Sequence, residues 1–184
     1  HESGHAVVAW LTGTSRKLEV LSIIKRKEAL GLLTHSDIEE RFLTSKSELE
    51  AQIKISLGGM VAEEIFFGET TSGPASDLKA ATTYAAMMVG SLGMAGSLFS
   101  YEAIEGPPTN IVAKLAASDE GRARVETLLE QTRNEVRVVL ERNRHLVEGL
   151  RDELLAREEL IGDEITAAIT AAAGTAANRP TTVP

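Results

Sequence analysis

The sequence contains no cysteine. That excludes a disulfide framework and restricts any zinc site to histidine and carboxylate ligands. Aromatic residues make up only 4% of the 184 positions, while 43% are hydrophobic. The core must therefore be largely aliphatic, a composition that goes with helical packing. No apolar run approaches the length needed to cross a bilayer. Basic residues are the minority charge: 19 lysines and arginines face 27 aspartates and glutamates, for a net charge of −8. An acidic domain repels phosphate backbones, so no nucleic-acid partner is expected. No G-x-x-x-x-G-K-[ST] segment occurs, so these residues carry no P-loop for a nucleotide. The chain opens on His1, without a methionine and without a residue to cap a helix starting there. A fragment of a longer protein is expected, with any membrane segment lying outside it.

What is present suffices for one domain with a sizeable core. Apolar residues in HESGHAVVAWLTG predict a well-buried helix, Trp10 and Leu11 included, ending at Gly13. KLEVLSIIKR and ALGLLTHS read as two short strands, with Lys27 and Glu28 near the turn. Ser45 and Glu48 form a capping box ahead of a helix whose stripe is Leu49, Ile53, Leu57, Met60, Val61 and Ile65, stopped by Gly68. A further helix is predicted from about Asp77, with Ser76 as its N-cap. EGPPTN reads as a loop without packing residues. A long amphipathic helix over 119–142, a break near Asn143, a second helix to Arg157 and a short final helix follow. From Gly174 the apolar periodicity is lost and disorder is expected. The fold class is mainly α with a short β-hairpin and a C-terminal helical hairpin, organised as one domain over 1–173 with a tail at 174–184.

The chemistry begins at the first five residues, HESGH. Positions i and i+4 share one helix face about one turn apart, so His1 and His5 can present two imidazole nitrogens to one ion. Zinc accepts such nitrogens and keeps an open position in catalytic sites. Glu2 falls on an adjacent face, near enough to hold a water without binding the ion. It can take a proton from that water as it attacks a carbonyl and pass it to the leaving amine. This is the H-E-x-x-H arrangement of metalloproteases. The competing reading is a surface histidine pair beside an acidic residue favoured at a helix start. The sequence has only four histidines, however, and two fall at ligand spacing around a glutamate.

A third ligand is required. The extended H-E-x-x-H-x-x-G-x-x-H form is excluded, because Val8 and Leu11 occupy the glycine and histidine positions. The remaining candidates are Glu63, Glu64, Asp77, His35 and His145. His145, in the charged ERNRHL, is expected to be solvated, and His35 to be a polar loop residue after a strand. Glu63 and Glu64 lie on a helix whose Gly58, Gly59 and Ala62 let another helix approach, and a carboxylate buried there needs a partner. Asp77 opens a helix, where the dipole favours it anyway. Spacing alone does not choose among Glu63, Glu64 and Asp77.

Four stretches, in order, resemble the peptidase domain of the FtsH family, membrane-anchored ATP-dependent zinc metalloproteases: HESGHA, LGGMVAEEIFFG, TTSGPASDLKAAT and MMVGSLGM. LVEGLRDELLAREELIGDEI resembles the family's closing helices, which extends the likeness over residues 1 to about 172. The resemblance implies a zinc endopeptidase with zinc held by His1, His5 and Asp77 and with Glu2 as general base. It places on Glu63 a glutamate beside the metal that does not ligate, and mid-helix Glu63 suits accepting a hydrogen bond from a ligating histidine's second nitrogen. It also implies a substrate-pairing edge strand at ALGLLTHS. For the full-length protein it implies a homo-hexameric ring beneath an ATPase ring that feeds in unfolded polypeptides. The implied localisation is membrane-anchored, with the peptidase on the cytoplasmic or organelle-interior side.

Two departures stand out. Ser72-Gly73-Pro74 replaces the family's Thr-Gly-Ala, which predicts a slightly different loop before Asp77. Gly31-Leu32-Leu33-Thr34 stands where a Gly-Tyr-Thr-like stretch with a following proline is usual. Two other functional classes compete with a peptidase: a catalytically silent assembly module with the same fold, and a structural metal site in a helical scaffold, which a fourth protein ligand would mark.

Overall fold

A computed structural model describes residues 1–12, 16–25, 31–37 and 43–177, with side chains described to 174. Its elements run α1 (Glu2–Thr12), β1 (Arg16–Ser22), β2 (Leu32–Asp37), α2 (Lys46–Phe67), α3 (Ala75–Gly90), a 3-10 turn (Tyr101–Ala103), α4 (Ile111–Ala116), α5 (Asp119–Arg142), α6 (Arg144–Arg157), β3 (Glu159–Ile161) and α7 (Asp163–Ala177). The mainly α architecture matches the expectation from composition and periodicity. No helix among the described residues is long and apolar enough to cross a membrane.

Helix α2 is the organising element. The Ser45 hydroxyl accepts from the Glu48 N–H, and the Glu48 carboxylate accepts from the Ser45 N–H at 2.7 Å, so the capping box forms as read. The helix ends where Gly68 takes a left-handed φ of 77° and donates its N–H to the Glu64 carbonyl. Two apolar clusters flank α2. Leu49, Ile53 and Leu57 pack with Ala81, Ala85 and Met88 of α3, Leu115 of α4 and Val125 of α5. Ile55, Val61 and Ala62 pack with α1, with Val136 and Leu140 of α5, and with the Leu150, Leu154, Ile165 and Ile169 core of α6 and α7. A helix buried on both sides is held by two independent cores, which makes it a stiff platform.

The sheet is antiparallel in the order β2-β1-β3. The two expected strands are present, and β3 is an addition: Leu160 pairs with Leu21 and is fully buried. Three residues are too few to show alternation, so only the distant partner strand reveals it. Strand β2 occupies one edge of this sheet.

Other differences have local causes. Trp10, expected in the core, is 38% exposed, because α1 is covered from Ser3 to Ala9 and emerges in its last turn. Helix α3 starts at Ala75, two residues ahead of Asp77, and Pro74 rather than Ser76 holds the cap position, with no side-chain cap; Ser76 is inside the helix. Proline's fixed φ, here −66°, suits a helix entry, and Asp77 consequently sits within the first turn. Helix α4, absent from the sequence reading, follows the EGPPTN loop; Asn110 of that loop caps it by accepting the Ala113 N–H at 2.8 Å. Helix α7 runs to Ala177, past Gly174, carried by alanine's high helix propensity. The α5–α6 break falls at Asn143 as expected. The readings at Gly13, at Lys27 and Glu28, and at 178–184 lie outside the described residues.

Candidate metal centre

Helix α1 lies against α2 along glycines. A Cβ built on Gly4 would stand 2.5 Å from the Gly58 carbonyl oxygen and 2.6 Å from the Ala62 Cβ. One built on Gly59 would stand 2.4 Å from His5 Nε2 and 2.6 Å from His1 Cε1. Gly59 therefore forms the floor on which both imidazoles rest. The small residues GG and A of α2 were legible as permitting a close helix. That one of them is the seat of the histidine rings was not.

Hydrogen bonding settles both tautomers. His5 Nδ1 lies 2.6 Å from the Ile55 carbonyl, and a carbonyl only accepts, so Nδ1 carries the proton. The 3.3 Å approach of the Gly59 N–H to the same nitrogen is then mere proximity. His1 Nδ1 donates to Glu63 Oε1 at 2.8 Å. Both Nε2 atoms are left with lone pairs, and they face each other across 3.1 Å. Asp77 Oδ2 completes the group, 3.3 Å from His1 Nε2 and 3.4 Å from His5 Nε2. Three electron-rich atoms thus converge at separations of 3.1–3.4 Å. Tetrahedral donors roughly 2.0–2.1 Å from a zinc ion stand about 3.3–3.4 Å apart, so the donor set fits that ion. His1, His5 and Asp77 are the one group with this property among the described residues.

A second proton on either ring goes to Nε2, where it meets Asp77 Oδ2. Burial lowers the His1 pKa, but the Asp77 hydrogen bond and the charges of Glu2, Asp77 and Glu63 outweigh it and raise the net value. For Asp77 burial works upward, yet the bonds from His1 and His5 hold its carboxyl well below the usual carboxylate range. Burial pushes Glu2 up, opposed by His5 and His1.

The adjacent carboxylates on α2 have separate duties. Glu63 is buried and takes, besides the His1 proton, the Thr71 N–H at 2.7 Å and the Thr71 hydroxyl at 3.1 Å. Glu64 turns away to Arg133 and Arg137 of α5, tying the platform to that helix. The expectation that a carboxylate buried here needs a partner holds for Glu63, and half-buried Glu64 is paired as well. His35 lies within β2, not in a loop, and its Nδ1 meets the Arg16 guanidinium at 2.7 Å. His145 is half-buried at the start of α6 rather than solvated. Thr71 lies in the TTSGPASDLKAAT stretch, but its two bonds to Glu63 cannot be read from spacing.

The cluster opens into a cavity of about 690 Å³. Glu2 lies on its wall beside the start of β2: a Cβ on Gly31 would come 2.4 Å from Glu2 Oε1. Ile23, Leu33, Leu154 and Leu155 supply apolar lining, and Arg151 adds a charge.

The chain matches the family model described as Peptidase family M41 over residues 1–168. It is 36% identical over 167 residues to the ATP-dependent zinc metalloprotease FtsH 2 of Symbiobacterium thermophilum, covering 90% of this chain and 28% of that protein. It is 36% identical over 185 residues to the ATP-dependent zinc metalloprotease FtsH of Methylococcus capsulatus, covering 94% and 29%. To the ATP-dependent zinc metalloprotease YME1L of Drosophila melanogaster it is 33% identical over 171 residues, covering 91% and 23%. The chain spans less than a third of the length of these relatives. A match over nearly the whole chain, on a fold that gathers the HESGH histidines with Asp77, makes this chain a member of peptidase family M41.

Proposed function

We propose that this chain is a zinc endopeptidase domain that cleaves unfolded polypeptides. The observation that carries the reading is the convergence of three lone-pair donors on His1, His5 and Asp77 beside Glu2 in an open cavity. Zinc held there supplies Lewis-acid polarisation of the scissile carbonyl. Glu2 takes the proton of the attacking water and delivers it to the leaving amine. Glu63 and the Ile55 carbonyl hold the two imidazoles in the ligating tautomer. The edge of β2 lies beside the cavity and offers backbone groups to an extended substrate, while Leu33 and Leu155 give its side chains apolar surface. A structural site is disfavoured, since only three ligand-type side chains converge among the described residues.

These residues contain no P-loop. The relatives' names include ATP dependence, and unfolding of substrates by a ring-forming, membrane-anchored ATPase portion is proposed for the longer protein. This chain by itself is expected to digest an unfolded substrate and spare a stably folded one, with or without ATP.

The test combines zinc analysis after dialysis with hydrolysis of an unfolded casein. One zinc per chain is expected. Glu2→Gln should keep the metal and lose about 10²–10⁴-fold in hydrolysis. A metal-free wild-type protein removes the zinc reading, and unchanged hydrolysis by the variant removes Glu2 from the mechanism.

A further inference from the structure

Thr71 lies in the loop between α2 and α3 and touches no metal ligand directly. Its hydroxyl nevertheless sits in the middle of a continuous chain of hydrogen bonds. The Gly73 N–H donates to Thr71 Oγ1 at 3.1 Å, and Thr71 Oγ1 lies 3.1 Å from Glu63 Oε1. A carboxylate only accepts, so the hydroxyl proton must point at Glu63 while the oxygen receives the Gly73 N–H. The Thr71 N–H takes the other carboxylate oxygen at 2.7 Å. Both oxygens of Glu63 are therefore held by one residue, and Oε1 is left aimed at His1 Nδ1, 2.8 Å away.

We infer that Thr71 is a positioning residue that fixes His1 in the ligating tautomer through Glu63 and couples that orientation to the loop that leads into α3 and Asp77. This inference rests on the zinc reading of the site. The physical argument has two parts. A buried glutamate with only one partner could rotate about its last side-chain bonds and release His1 Nδ1; two donors from a single backbone position remove that freedom. The same residue also ties Gly73 to the network. A Cβ on Gly73 would stand 3.2 Å from Thr71 Oγ1 and 3.7 Å from Glu63 Oε1, so the loop passes closely over the carboxylate before Pro74 begins α3. The donors of α1 and α3 are thus referenced to one carboxylate on α2, the element both cores hold rigid. Partners that orient a ligating histidine commonly matter by roughly 10–100-fold in metal affinity.

The experiment uses the full chain with Thr71→Val and Thr71→Ser. Valine keeps the shape and the backbone N–H but removes the hydroxyl. Gly73 is exposed, so its N–H can turn to water. Zinc affinity, measured against a competing chelator, should fall about tenfold in Thr71→Val and return to within about twofold of wild type in Thr71→Ser. In Glu63→Gln the valine substitution should add little, because both act through the same carboxylate. Imidazole nitrogen shifts of zinc-free protein supply the independent readout. At a pH high enough for the ring to be neutral, His1 should hold its Nδ1 proton in wild type and Thr71→Ser, and exchange tautomers in Thr71→Val. Wild-type zinc affinity in Thr71→Val, or additive losses with Glu63→Gln, overturns the inference. If wild-type protein binds no zinc, the reading of the site falls, and the His1 tautomer alone then decides the role of Thr71: an unchanged tautomer in Thr71→Val overturns it.

Discussion

Among the helix pairs that pack through glycine, two serve different ends. At the α6–α7 contact a Cβ on Gly149 would stand 2.5 Å from the Ala172 Cβ. At the α1–α2 contact a Cβ on Gly4 would meet the Gly58 carbonyl at the same distance. Around the first lie Leu150, Leu154, Ile165 and Ile169, each almost wholly buried. Around the second lie the buried polar side chains of His5 and Glu63. Close backbone approach is thus a neutral device. Flanked by leucine and isoleucine it yields dense apolar packing. Flanked by imidazoles and a carboxylate it brings groups within hydrogen-bond reach in a site where leaving one unpaired is costly. The polar contact tolerates fewer changes, since each of its groups is oriented by a specific partner.

The largest effect should come from removing charge at the polar contact. Asp77→Asn is expected to weaken zinc binding more than Glu63→Gln, which should cost about 10–100-fold. Chelator competition measures both, and the reverse ranking would return Asp77 to the role of a helix-start residue. Next in size is Gly59→Ala, which places a methyl 2.4 Å from His5 Nε2 and 2.6 Å from His1 Cε1. Zinc affinity should fall at least about tenfold as the rings are pushed off their floor, while the far-ultraviolet dichroism stays helical. Normal zinc binding by this variant would mean that the rings do not rest on α2.

The smaller effects sharpen the contrast through stability. Gly4→Ala drives a methyl into a backbone carbonyl that cannot rotate away, and about 2–3 kcal/mol of overpacking cost is expected. Gly149→Ala meets the Ala172 methyl rather than backbone, so about 1–2 kcal/mol is expected. Each kcal/mol lowers Tm by about 2–4 °C in a chain of this size. Gly149→Ala should leave zinc affinity unchanged, and Gly4→Ala should lower it along with stability. Equal zinc losses in the two variants would erase the distinction drawn between the contacts.

Much of the fold and part of the site could be read from local pattern. Ser45 and Glu48 announced the start of α2 and Gly68 its end, because capping depends on residues within one turn. Runs of β-branched and aliphatic residues located β1 and β2. The failures occur where neighbours far along the chain decide. Glu159–Ile161 becomes a strand only because β1 offers it a partner. Trp10 looked like a core residue because periodicity shows which face is apolar, not where its cover stops. Ser76 looked like a cap, but Pro74 starts the helix earlier and leaves Ser76 inside it. The resemblance of TTSGPASDL to a known family pointed to Asp77, while residue spacing left Glu63, Glu64 and Asp77 equivalent.

The sequence by itself determined that His1 and His5 share a face with Glu2 beside them, because 3.6 residues per turn sets that relation within a single helix. It also determined that no thiolate could take part. Only the tertiary structure brings Asp77 up to the pair and Glu63 behind His1. Asp77 reaches the histidines from α3, and Glu63 and Glu64, one residue apart, point to opposite neighbours. The physical reason is that helical geometry fixes directions within an element. The distance between donors on three elements is set by how closely their backbones pack, and here that closeness comes from glycines 4, 58 and 59.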